Sequence, residues 1–142
     1  PASEYLISAV EKERLGSINA AVDCCNVASL HSGLPISVVD IGRSTGPWRI
    51  GIAEPESSYI FNPTGQVMSI GRLVVLFDAD GACGGPVKDS QRTKTHPGTG
   101  ETISVVWGTQ DLPGRAKQTA LWYTELMETI GASVTEIRPA IP

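Results

Sequence analysis

The stretch 102–137, TISVVWGTQDLPGRAKQTALWYTELMETIGASVTEI, changes its apolar period twice and so carries the decision about fold class. Residues 102–107 are β-branched and apolar and predict a strand, which the Pro113-Gly114 turn follows. From 115 to 130 the residues Ala116, Ala120, Tyr123, Leu126, Met127 and Ile130 recur at helical spacing, and Gly131 supplies a stop. Residues 134–137 predict a closing strand, which completes a β-α-β unit. The other end of the chain repeats this pattern. Residues 2–10 form a short apolar run that periodicity alone leaves open between strand and helix start. The helix expected over 17–32 carries Ile18, Ala21, Val22, Cys25, Ala28 and Leu30 on one side, with Gly33-Leu34-Pro35 ending it and a strand over 36–41. Between the two units most of the glycines punctuate short strand-like pieces at 48–52, 58–61 and 73–77. The polar stretch 78–100 predicts a long loop. The expectation is a single α+β domain over 1–142, in which two β-α-β units share one sheet and carry a β-rich insertion at about 54–100.

A chain of 142 residues with 41% apolar and 18% charged residues has the size of one globular domain, without room for a separate cofactor domain. Eleven Lys and Arg against fifteen Asp and Glu give a net charge of -4, from which no nucleic-acid partner is expected. Apolar runs such as 73–77 are far shorter than the roughly 20 residues of a membrane span, and no signal sequence opens the chain, so a soluble protein is expected. Three cysteines, with Cys24 and Cys25 adjacent, show no disulfide framework and favour the cytoplasm.

Several residues are candidates for chemistry, each with a plainer reading beside it. Pro1 offers a secondary amine; α-amino groups titrate near ~7.7–8.0, within reach of acid and base work, unless Pro1 is merely where the chain starts. Arg115 opens the second helix and suits an anion, or is a solvated helix-end arginine. Arg14 falls in the turn before the first helix, as a second cation or a surface residue. His31 ends that helix, where the dipole alone accounts for a cation. Trp48, Trp107 and Trp122 read as core or interface. No spacing among Cys24, His31, Cys83 and His96 predicts a metal site, and Asp78-Ala79-Asp80-Gly81 reads as a turn. No glycine-rich phosphate loop is present, and no cofactor is implied.

Pro1, then Arg14-Leu15, a helix ending in His31-Ser32-Gly33-Leu34, a strand, and Trp48-Arg49-Ile50-Gly51 occur in an order that resembles the tautomerase superfamily, most closely its cis-3-chloroacrylic acid dehalogenase branch. The second unit, with its Gly114-Arg115 turn, is similar too, so the resemblance covers residues 1–53 and 101–142. It implies a β-α-β-β-α-β core and a cofactor-independent tautomerase. Pro1 would act as general base on a small 2-keto or 2-hydroxy-dienoic acid, Arg115 would hold the carboxylate and His31 the enol oxygen. Arg14 and Trp48 would bind substrate, and a homotrimer is implied. Leu112 stands where the dehalogenase carries a second arginine, which places the hydratase or dehalogenase reading second. A non-catalytic α+β binding module, with the insertion making the contacts, is the third reading.

Overall fold

The structure is a computed structural model that describes the backbone of residues 4–10 and 18–137 and the side chains of residues 21–137. Among the described residues, nine strands and two α-helices follow one another as β1 Glu4–Val10, α1 Ile18–Ser32, β2 Ile36–Asp40, β3 Arg49–Ile52, β4 Ser58–Ile60, β5 Val67–Ser69, β6 Val74–Asp78, β7 Gly81–Gly84, β8 Glu101–Trp107, α2 Arg115–Thr129 and β9 Ser133–Ile137. Both helices therefore lie where their apolar spacing puts them. Each ends on a left-handed glycine, Gly33 at φ 74° and Gly131 at φ 92°. Behind α2 the Gly131 amide donates to Glu128 O and the Ala132 amide to Met127 O, the paired bonds that close a helix around such a glycine.

The sheet order corrects the expected fold class. A crossover unit that keeps its two strands side by side makes a parallel pair. Here the largest sheet runs β2-β8-β1-β9, so the strands of the two units interleave, and every pairing is antiparallel. With two further antiparallel sheets, β3-β6-β7 and β4-β5, the described residues form a β-rich assembly with two helices, not a tautomerase-like core.

Strand β8 is central and buried on both faces, and its alternation shows what covers each. Ile103, Val105 and Trp107 join Val39, Leu76 and Cys83 on the insertion side, whereas Val106 joins Ala21, Ala28, Ala120, Tyr123 and Met127 on the helix side. On the helix side the Ser104 and Tyr123 hydroxyls meet at 2.9 Å. The β-rich insertion is therefore the second cover of the main sheet, and it is fastened to the open edge of β2. Asp89 accepts from the Val38 amide there at 3.1 Å and from the Gly85 amide at 3.2 Å, which occupies an edge donor that would otherwise face water. The stretch 78–100 is correspondingly not a long loop: it holds β7, a 3-10 turn at Gln91–Thr93 and the buried side chains of Ser90, Thr93 and Thr99.

Candidate functional site

The insertion encloses an open cavity of about 680 Å³ between the β4-β5 hairpin and the β6-β7 turn. Ser57, Tyr59, Phe77, Asp80, Gln91 and Arg92 are among the residues lining it. Strand β4 brings Tyr59, whose hydroxyl donates to Lys88 O and fixes the ring. Burial, followed by the charge of Asp89, pushes the Tyr59 hydroxyl above its ordinary range, so it stays a neutral donor at neutral pH. Phe77 comes from β6 and carries the Arg49 guanidinium over its ring at 4.0 Å from the centroid.

Arg92 forms the rigid part of the wall, and the buried Asp78 carboxylate holds it from behind. Arg92 Nη1 donates to Asp78 Oδ2 at 2.9 Å and Nη2 to Asp78 Oδ1 at 2.8 Å, a two-pronged pair. The Thr45, Asp80 and Gly81 amides donate to the same carboxylate. The Arg92 hydrogen bonds are the largest influence on Asp78. Burial works against them, the Thr45 and Asp80 amides assist, and the carboxyl is held down to about 2. Asp89 behaves in the opposite way, since burial pushes it up against the hydrogen bonds from the Val38 and Gly85 amides. Gln91 Oε1 is buried and has no partner among the described residues. A buried acceptor left without a donor costs about 1–3 kcal/mol, so it marks a wall that is not satisfied within the fold.

Of the residues singled out from sequence, Pro1 and Arg14 lie outside the described residues. His31 and Arg115 are brought together in a smaller hollow of about 340 Å³, with Ser32, Gln118, Thr119 and Trp122. There Arg115 Nη1 donates to Ser32 O at 2.9 Å, capping the end of α1, and His31 meets the Trp122 ring edge-on at 5.4 Å. Trp48 is elsewhere: it packs beside the Val39–Trp107 cluster and donates from Nε1 to Ser44 Oγ at 3.2 Å. Sequence reasoning missed Tyr59, Gln91 and Arg92 because no local pattern ties them together. The tight turn expected at 78–81 was the one trace, and it is the turn that Asp78 caps.

No family model matches the chain, and no curated protein matches it in sequence. Among solved structures the fold is similar to an N-terminal fragment of the phenylalanyl-tRNA synthetase beta-subunit from Pyrococcus horikoshii, with a TM-score of 0.73 and 12% identity over 96% of this chain. The chain spans about half of that structure, 49% of its length. The likeness, with the interleaved sheet, overturns the tautomerase resemblance together with the tautomerase and dehalogenase activities it implied. The homotrimer and the small carboxylate substrate rested on that resemblance and fall with it. The expectation of no nucleic-acid partner, drawn from net charge alone, conflicts with this likeness to part of a tRNA-synthetase subunit and is withdrawn. Among the described residues no helix is long and apolar enough to cross a membrane.

Proposed function

We propose that the chain is an RNA-binding domain of the type carried by a tRNA-synthetase subunit, taking an unpaired base into the cavity between Tyr59 and Phe77. The observation that carries this reading is the cavity itself, in which aromatic rings lie beside fixed polar groups, the combination that single-stranded RNA calls for. The synthetase-like fold supports the class of partner. The acidic balance of the chain, with net charge -4, is compatible with it if recognition runs through the base and engages few phosphates. The reading places the domain in the cytoplasm, where the Cys25 and Cys83 thiols, each pushed up to about 12 chiefly by burial, would stay protonated and inert. Catalysis by Pro1 forms no part of this reading.

Fluorescence anisotropy with a labelled tRNA and with a single-stranded oligonucleotide tests it. Binding is expected to weaken only gently with salt, with a log–log slope of about -0.7 to -1.4, as one or two phosphate contacts would give. Tyr59→Ala should weaken binding by about 1–3 kcal/mol, the worth of one stacked base, whereas Tyr59→Phe keeps the ring and most of the affinity. Absence of binding to either RNA at low salt, or equal affinity for the wild type and Tyr59→Ala, would count against the proposal.

A further inference from the structure

We infer that the base held by this cavity is guanine, read by Asp80 and Arg92 together; the inference rests on the RNA-binding reading above. Arg92 is not a mobile surface arginine. Both of its terminal nitrogens are tied to Asp78, and Nη2 also donates to Gly81 O at 3.3 Å. Asp78 is anchored in turn by the Thr45, Asp80 and Gly81 amides, so the guanidinium plane is fixed from behind. Nη1 retains one N–H, and the Asp80 carboxylate stands 4.0 Å from that nitrogen. Asp80 is a turn residue whose side chain is 65% exposed, and both residues line the cavity. One fixed donor and one acceptor therefore lie side by side at a wall that also holds Tyr59 and Phe77.

The pairing edge of guanine presents an acceptor, O6, next to two donors, N1–H and N2–H. O6 can accept from Arg92 Nη1 while the two donors share the Asp80 carboxylate in a two-pronged bond of the kind carboxylates favour. Adenine reverses the pattern, setting its amino group against the guanidinium and its N1 lone pair against the carboxylate. Cytosine and uracil each offer a single donor to Asp80 and a smaller ring to the aromatic side chains.

The test is the affinity of the protein for four short uridine oligomers carrying A, C, G or U at the centre, alongside a whole tRNA and free GMP. The G oligomer is expected to bind about tenfold or more tighter than the A oligomer, the discrimination a good two-pronged base contact gives. Asp80→Asn should reduce that preference to about twofold or less while leaving the far-ultraviolet circular dichroism spectrum unchanged, since Asp80 is exposed. Equal binding of all four oligomers would overturn the guanine assignment and leave the RNA-binding reading standing. No binding of any RNA, tRNA included, would overturn both. GMP binding more tightly than the G oligomer would assign the cavity to a free nucleotide and overturn the inference as stated. A preference for G that survives in Asp80→Asn would overturn the role given to Asp80.

Discussion

Trp107→Ala is expected to lower the unfolding free energy by roughly 3–5 kcal/mol, the range for deleting a buried large aromatic side chain, and so to leave a domain of this size marginally folded. Trp107 is 3% exposed and ends the central strand β8, where its ring packs with Val39, Leu76, Cys83, Ile103 and Val105 between the main sheet and the insertion. Its Nε1 donates to Ser37 Oγ at 2.9 Å, and that hydroxyl donates onward to Gly85 O at 2.9 Å. The substitution therefore removes packing volume and also a donor to a fully buried hydroxyl. Trp107→Phe should cost less, because most of the ring area survives while the hydrogen bond is lost. Urea unfolding followed by circular dichroism measures both. A loss below about 1 kcal/mol for Trp107→Ala would mean that the insertion is not packed on the sheet as described.

Asp78→Asn is the second large effect, expected to cost about 2–4 kcal/mol at neutral pH because it turns an amide N–H toward the Arg92 guanidinium or the backbone amides that the carboxylate now receives. The upper end of that range is moderated by water, since the Arg92 side chain is 37% exposed while that of Asp78 is fully buried. The same carboxylate gives the pH dependence. Its folded pKa is lowered from 3.8 to about 2, so its contribution is fully present above the unfolded value and is lost as pH falls from about 4 through 2. The wild type should therefore lose stability over that acid window more steeply than Asp78→Asn does. Parallel stability curves for the two proteins between those pH values would contradict the pairing.

Local signals were readable and long-range ones were not. The spacing of Ala116, Ala120, Tyr123 and Met127 places a helix over 115–130, observed as Arg115–Thr129, and the β-branched run at 102–107 corresponds to Glu101–Trp107. Both depend on neighbours along the chain. The order β2-β8-β1-β9 depends on which strand meets which across the sheet, and a succession of strand, helix and strand is common to folds that pair those strands differently. The short motifs around Pro1, Arg14 and His31 followed that common succession, which is why they suggested the wrong family. Strand β7, Gly81-Ala82-Cys83-Gly84, has almost no intrinsic strand preference and forms because β6 pairs with it behind the Asp78 turn. The cavity was unreadable for the same reason. Tyr59, Phe77 and Arg92 meet only once three separate hairpin and turn elements are in place. His31 closes α1 and Arg115 opens α2, positions that the local helix signals mark, and the two helix ends do meet.

The most direct test of the RNA-binding cavity is an amide chemical-shift titration of isotopically labelled protein with the single-stranded RNA oligomer. The perturbed amides are expected to be those of residues 57–60, 77, 80–82 and 90–92, around the cavity. Perturbations confined to residues 31, 32, 115, 118, 119 and 122, around the hollow between the helix ends, or no perturbation at saturating RNA, would contradict it.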